Sequence, residues 1–143
     1  KERQWILEEL KTETRTMIVY EAPHHLVRTL QELSDTLGSD RRITICRELT
    51  KKYEEAYRTT FGEALERYEH EEPKGECVIV IEGKSIGQLK AEQQKSWEEM
   101  ELAEHMELYL SKGIDRKEAM KLVAKDRGIA KRDVYRMLAE QKD

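Results

Sequence analysis

The sequence predicts an α/β domain with a mixed sheet in residues 1–84, followed by an all-helical region in residues 85–143. In the first part, apolar runs rich in β-forming residues alternate with helical patterns, which is typical of a sheet covered by helices. After Gly83 the chain becomes rich in glutamate and shows almost no strand pattern. Charged residues make up 39% of the chain and hydrophobic residues 38%, a balance that indicates a thin core and long solvated helices.

Hydrophobic periodicity predicts the elements of the first part in order. The opening segment KERQWILEELKTE predicts a helix, TRTMIVYEA a strand buried on both faces, and residues 26–37 an amphipathic helix that ends at Gly38. RRITICREL predicts the next strand and KKYEEAYRTTF a partly exposed one. FGEALERYEH then predicts a short helix, and CVIVIEGK a buried last strand.

The second part predicts helices only. Residues 85–110 predict a helical region with an apolar stripe of Trp97, Met100, Leu102, Met106, Leu108, Tyr109 and Leu110. Asp115, with Glu118 three residues later, is a capping box that starts a short helix, and Gly128 ends this helix. The helix that follows has an apolar side of Val134, Tyr135 and Leu138. These spacings predict a helix-turn-helix-like arrangement.

Charge is distributed unevenly along the chain. The net charge is −4, yet residues 111–143 hold 10 Lys and Arg against 6 Asp and Glu. A basic terminal segment on an acidic protein favours nucleic-acid binding through phosphates, and a solvated helical bundle with paired charges is the alternative. No run approaches 18 apolar residues and no charged-then-apolar leader is present, so we expect a cytoplasmic protein without a membrane span.

A glutamate follows each of three apolar runs: Glu21, Glu48 and Glu82. Because ligands gather at the carboxyl ends of strands in open α/β sheets, this pattern predicts that the three carboxylates share a site. The alternative is that each acid complements the dipole of a following helix. His24 and His25 lack a third ligand at useful spacing, so no metal site is predicted. The glycine motifs that bind phosphates are absent.

Three ordered segments carry a resemblance to a known family. YEAPHHLVRTLQEL, RRITICRELTKKYEEAYRTTFGEAL and PKGECVIVIEG resemble the C-terminal half of enzymes with the tetrapyrrole methylase fold. The resemblance is most specific to the bacterial 16S ribosomal RNA cytidine 2′-O-ribose methyltransferases. It covers residues 1–84 and continues into the tail, where GIAKRDVYRML is similar to the end of the helical module of these enzymes.

The resemblance implies a cofactor and partners. Such enzymes bind S-adenosyl-L-methionine in a cleft between two α/β subdomains, act on RNA of the small ribosomal subunit, and work as homodimers. Their N-terminal subdomain supplies glycine-rich loops that this chain lacks, so the chain alone is expected to be inactive. The cofactor-binding positions that the resemblance implies are Tyr20, Glu21, Ala22, Thr59, Ile81 and Gly83.

The resemblance also implies a reaction. Methyl transfer to a ribose hydroxyl is an in-line displacement that needs alignment and a group that accepts the hydroxyl proton. The candidate catalytic residues are Glu21, His24 and Glu48, and the sequence does not rank them. The candidate RNA contacts are Arg47, Lys51, Lys117, Lys121, Lys131 and Arg132.

Two positions depart from the family pattern. His25 stands where the family has arginine, so a titratable ring replaces a permanent cation. Thr59 stands where glycine is usual, which adds a Cβ beside the implied cofactor path.

Two other functions are open at this point. The first is methylation of a tetrapyrrole precursor, a corrin or porphyrin, which uses the same fold and cofactor but gives no reason for a basic tail. The second is a non-catalytic RNA-binding domain, because half of the implied cofactor site is missing.

Overall fold

Four strands and three helices build the first unit of the computed structural model, which describes residues 1–142. The strands are β1 (Met17–Glu21), β2 (Arg42–Arg47), β3 (Glu55–Thr60) and β4 (Cys77–Ile81). The helices are α1 (Glu2–Leu10), α2 (Leu26–Leu37) and α3 (Phe61–Tyr68). A turn of 3-10 helix, Pro23–His25, joins β1 to α2. This unit spans residues 1–85, and the predicted α/β class is confirmed.

The predicted mixed sheet is wrong, because all described strand pairs are antiparallel in the order β1-β4-β2-β3. β1 and β2 run in the same direction, but β4 lies between them and runs opposite to both. A short loop joins β2 to β3 and returns the chain antiparallel to itself. No parallel neighbours result in the described sheet, although strands and helices alternate along this part of the sequence.

One face of the sheet is covered by helices and the other is open. Alternate residues of each strand point to opposite faces, and the covered face packs on the apolar sides of α2 and α3. The core includes Leu26, Leu30, Leu33, Ile43, Ile45, Phe61, Ile79 and Ile81. On the open face, Ile18 is 61% exposed and Tyr20 is 79% exposed. In this chain β1 is therefore buried on one face, whereas its sequence predicts burial on both.

Helices alone form the described part of the second unit, which begins at Ile86. They are α4 (Ile86–Glu99), α5 (Leu102–Leu110), α6 (Arg116–Arg127) and α7 (Lys131–Glu140). Asp115 accepts a hydrogen bond from the Glu118 amide at 3.0 Å, and Gly128 ends α6 in the left-handed conformation, as predicted. None of the described helices is long and apolar enough to cross a membrane.

A buried histidine connects α4, α5 and α6. His105 is fully buried, and its ring stacks on Trp97 with 4.3 Å between the centroids. Arg127 Nε lies 3.0 Å from His105 Nδ1 and can only donate, so Nδ1 accepts. The ring proton is therefore on Nε2, which donates to Asp126 at 2.9 Å.

Two further hydrogen bonds complete this polar network. Arg127 donates to the carbonyl of Met100, between α4 and α5, and the Tyr109 hydroxyl donates to Asp126. Burial, together with the Asp126 carboxylate, raises the pKa of Tyr109 to about 12. The core of this unit is thus apolar along α5, α6 and α7 but polar where α4 joins them.

Candidate functional site

The open sheet face carries two cavities that border predicted site residues. In the antiparallel register, Tyr20 pairs with Val78 and Ile18 pairs with Val80, so two rows of side chains cross this face. A cavity of about 490 Å³ borders the first row, and one of about 540 Å³ borders the second. Both volumes lie in the range of small-molecule sites.

The first cavity lies at the carboxyl ends of β1 and β2. These strands run in the same direction, so Glu21 and Glu48 reach the same edge of the sheet, as predicted. Its wall combines carboxylates and one ammonium group with apolar side chains. The lining residues are Tyr20, Glu21, Ala22, Glu48, Leu49, Lys51, Glu76, Cys77 and Val78.

Glu48 is fixed by its backbone and its neighbours. Glu48 and Thr50 have φ values of 51° and 64°, a left-handed conformation that costs a residue with a side chain about 1–2 kcal/mol. The Glu48 amide donates to the Glu76 carbonyl at 3.3 Å, and its carboxylate pairs with Lys51 at 3.2 Å. Gly75 passes so close that an added Cβ would overlap Glu48 Oε1. The glycine therefore leaves room for this carboxylate.

Glu21 lies at the same edge, but both of its carboxylate oxygens accept hydrogen bonds from nearby residues. Thr29 donates its hydroxyl to Oε2 at 2.7 Å, and the Ala22 amide donates to Oε1 at 2.9 Å. The bond from Thr29 is the main cause that holds the pKa of Glu21 below its ordinary value. Glu21 is thus an ionised group that fixes the turn from β1 into α2.

Glu82 lies at the opposite edge, so the prediction that three strand-end glutamates share a site is wrong. β4 runs against β1 and β2, which puts its carboxyl end beside the start of β2. Arg42 donates to both Glu82 oxygens, at 2.7 and 2.9 Å, and this lowers the pKa of Glu82. β4 runs from one edge to the other, and its four residue steps of antiparallel strand put the two edges about 14 Å apart.

Three of the predicted cofactor residues belong to this second edge. Thr59 borders the second cavity and donates its hydroxyl to Glu63 at 3.0 Å. Ile81 is fully buried in the core, so its side chain lies on the covered face. An added Cβ on Gly83 would overlap the carbonyl oxygen of Thr14, so this glycine permits close backbone packing.

His24 lies in the exposed turn between β1 and α2. Its ring is 4.1 Å from that of His25, and it is not part of either cavity wall. Across residues 1–142, no three His, Cys, Asp or Glu side chains are arranged to hold a metal ion.

The predicted RNA contacts differ in how firmly they are held. The side chain of Arg47 is 31% exposed and pairs with Glu55 at 2.8 Å, whereas that of Lys51 is 57% exposed. On α6, Lys121 pairs weakly with Glu118 at 3.7 Å. The other predicted tail contacts form no ion pair within the described range; they are Lys117, Lys131 and Arg132.

Sequence reasoning missed Gly75 and Thr29, which fix the two glutamates. Gly75 lies in the turn segment EEPKGE, and its contact with Glu48 spans 27 positions of the sequence. Thr29 occupies a polar position within the apolar pattern of α2, yet it is buried, at 6% exposure. A buried hydroxyl requires a hydrogen-bond partner, so a threonine within an apolar pattern was the signal that could have pointed to Thr29.

Curated proteins named ribosomal RNA small subunit methyltransferase I are similar to this chain. The one from Bacillus subtilis is 44% identical over 135 residues, which cover 94% of this chain and 46% of the relative. The one from Halalkalibacterium halodurans is 40% identical over 141 residues, 99% of this chain and 48% of the relative. The one from Synechocystis is 36% identical over 138 residues, with coverage of 96% and 48%.

These similarities confirm the resemblance to bacterial methyltransferases of small-subunit ribosomal RNA. The chain spans about half the length of the curated relatives it matches. No protein-family model matches the chain.

Proposed function

We propose that this chain is the C-terminal part of an S-adenosylmethionine-dependent methyltransferase that modifies the 2′-hydroxyl of a cytidine in small-subunit ribosomal RNA. The similarity to proteins named ribosomal RNA small subunit methyltransferase I, over nearly the whole chain, carries the proposal. The first unit is then the C-terminal subdomain of a tetrapyrrole methylase fold, and the second is a basic helical module. An N-terminal subdomain completes the cofactor cleft, and without it the chain is inactive.

The first cavity suits one side of the cofactor. When bound, S-adenosylmethionine supplies a methyl group on a positively charged sulfur. The exposed ring of Tyr20 offers a flat apolar surface for the adenine, and Val78 extends it. Glu76 can accept hydrogen bonds from the hydroxyl or ammonium groups of the cofactor. Among the predicted cofactor residues, those of β1 and its end therefore fit best.

Glu48 is the group that we assign to accept the ribose proton. Its carboxylate borders the cavity and has one charged partner, Lys51. Glu21 gives both oxygens to hydrogen bonds in its own turn, and His24 lies outside the cavity wall. Proton acceptance requires a group within hydrogen-bond reach of the attacking hydroxyl, which favours Glu48.

RNA binding extends over both units in this proposal. Lys51 borders the cavity, and the exposed lysines of α6 and the two basic residues at the start of α7 attract phosphates. The predicted contacts on these two helices are Lys117, Lys121, Lys131 and Arg132. The homodimer, which the resemblance implies, and the cytoplasmic location, which the sequence pattern predicts, stay predictions.

Methyl transfer by the complete protein tests the proposal. The protein is incubated with methyl-labelled S-adenosylmethionine and small ribosomal subunits that lack the modification, and the RNA is then separated. Label in the RNA is expected. Label that enters a corrin or porphyrin extract instead would contradict the proposal and support the tetrapyrrole alternative.

Substitution of Glu48 tests its assigned role in the same assay. We expect Glu48→Gln to slow methyl transfer about 100-fold or more and to leave cofactor affinity nearly unchanged. Glu66→Gln, on the exposed side of α3, is the matched control and should keep the full rate. A Glu48→Gln protein with normal turnover would remove Glu48 from the reaction.

A further inference from the structure

The solvent side of α7 presents a tyrosine beside two arginines. Tyr135 is 67% exposed, although its spacing predicts an apolar, inward position. Arg132 lies three residues before it and Arg136 directly after it, and both are exposed. Residues three and four apart are neighbours on a helix surface, so the three side chains share one side of α7.

Most of the Tyr135 side chain is open to solvent. Ala139, one turn further along, is too short to lie over it. No cation within the described range sits over this ring, whereas Arg67 lies 4.3 Å from the centroid of Tyr57. An aromatic ring left uncovered on a charged surface is available for a flat ligand.

The surroundings of Tyr135 are positively charged. Arg132 forms no ion pair among residues 1–142, and Arg136 pairs with Asp133 at 3.3 Å while its side chain stays 69% exposed. Residues 111–143 hold 10 Lys and Arg against 6 Asp and Glu. The ligand that combines flat rings with negative charge is a nucleic acid.

We propose that Tyr135 stacks on an unpaired base of single-stranded RNA, while Arg132 and Arg136 contact the flanking phosphates. This inference rests on the proposed function, in which the substrate is ribosomal RNA. The major groove of an RNA duplex is too narrow to be read by protein side chains, so α7 cannot read it as a recognition helix reads DNA. Unpaired bases, by contrast, stack on aromatic side chains and arginine planes.

Binding of three labelled probes to the whole 143-residue chain tests the proposal. The probes are a short RNA of mixed sequence that cannot pair with itself, the same RNA annealed to its complement, and the corresponding DNA duplex. Fluorescence anisotropy gives each affinity. We expect the single strand to bind most tightly. Tyr135→Leu should weaken its binding about tenfold and leave duplex binding unchanged, because stacking is lost and charge is kept.

Matched variants separate stacking from folding and from charge. Tyr135→Phe keeps the ring and should bind like the unchanged chain. Trp5→Leu removes another exposed aromatic, 61% exposed on α1, and should have no effect. Arg132→Ala should make the plot of log affinity against log salt concentration less steep, by a slope of about one, because one phosphate contact is lost. Unfolding curves should be the same for all of these variants, because each replaced side chain is exposed.

Several results would overturn the inference: unchanged single-strand binding by Tyr135→Leu, an equal loss on all three probes, or tightest binding to the DNA duplex. In the last case α7 acts as a DNA-reading helix. Failure of the larger proposal is distinguishable, because it shows as absence of methyl transfer to RNA by the complete unmodified protein.

Discussion

Glu21 accepts hydrogen bonds from Thr29 and the Ala22 amide, whereas Glu48, at the same edge of the sheet, pairs with Lys51 beside the first cavity. Identical carboxylates thus have different surroundings. Glu21 is satisfied within its own turn. Glu48 is held in a left-handed backbone conformation that a residue with a side chain adopts only under constraint. Such constraint is common at functional sites, which agrees with the reaction proposed for Glu48.

Replacing Thr29 by valine should destabilise the first unit in a pH-dependent way. The bond from Thr29 keeps the folded-state pKa of Glu21 below its ordinary value of 4.5. It therefore stabilises the fold above that pH, and the stabilisation is lost as the pH falls through the folded-state pKa. We expect Thr29→Val to lower the free energy of unfolding by about 1 kcal/mol at neutral pH and by less in acid.

Urea denaturation at several pH values measures this difference. Thr36→Val is the matched control, because Thr36 lies on the same helix and donates to the uncharged Glu32 carbonyl at 2.8 Å. Its effect should not change with pH. If the loss of unfolding free energy in Thr29→Val were also independent of pH, the Thr29 hydroxyl would not stabilise the ionised Glu21 carboxylate.

Gly75→Ala should disturb Glu48 as well as the turn that contains it. Gly75 has a φ of 76°, so alanine costs about 1 kcal/mol for conformation alone. The added Cβ also overlaps Glu48 Oε1. Gly113→Ala is the control, because Gly113 has a φ of 82° but open space around it. We expect a larger loss of stability for Gly75→Ala, together with shifted NMR signals of the Glu48 carboxylate. Equal losses of stability in the two variants, with unchanged Glu48 signals, would contradict the close contact between Gly75 and Glu48.

The elements themselves follow from local pattern, but their pairing does not. Each strand and helix of the first unit lies within the segment that predicts it, because alternation and helical periodicity are local properties. The position of β4 between β1 and β2 depends on contacts over 30 or more positions, which no local pattern records. For the same reason the sequence groups Glu82 with Glu21 and Glu48, whereas the antiparallel register separates them. Among the residues that line the first cavity, the predicted ones therefore all lie on β1 or just after β1 and β2, and none lies on β4.

The helices of the second unit depend on a buried polar network that their sequence does not reveal. Arg127 is 7% exposed and its donors reach His105 and the Met100 carbonyl. We expect Arg127→Met to lower the free energy of unfolding of this unit by about 3 kcal/mol, because a buried ring nitrogen and carbonyl lose their donor. Lys125→Met, on the exposed side of the same helix, should have little effect.

Fluorescence of Trp97, which stacks on His105, reports this transition once Trp5 is replaced by phenylalanine. Equal stability of the Arg127→Met and Lys125→Met chains would mean that the network contributes no net stabilisation. A large loss confined to Arg127→Met would show that a charged residue in the basic tail is structural, in contrast to its exposed neighbours.

At the scale of the whole molecule, the proposed function gives the chain one wall of a cofactor site. The first cavity opens on an uncovered sheet face, whereas tight small-molecule sites enclose most of the ligand surface. We therefore expect the chain alone to bind S-adenosylmethionine more weakly than micromolar, and the complete protein to bind it at micromolar concentration or below. Titration calorimetry of both compares the affinities. Micromolar affinity of the chain alone would contradict the division of the site between two subdomains.

The position of the transferred methyl group tests the central proposal most directly. A methyl group on a ribose 2′-oxygen blocks attack of that oxygen on the neighbouring phosphate, so the linkage resists alkali. Small-subunit RNA labelled by the complete protein is hydrolysed in alkali and its products are separated. We predict that the label appears in an alkali-resistant dinucleotide that begins with cytidine. Label in single nucleotides would mean methylation of a base, and the proposed reaction would be wrong.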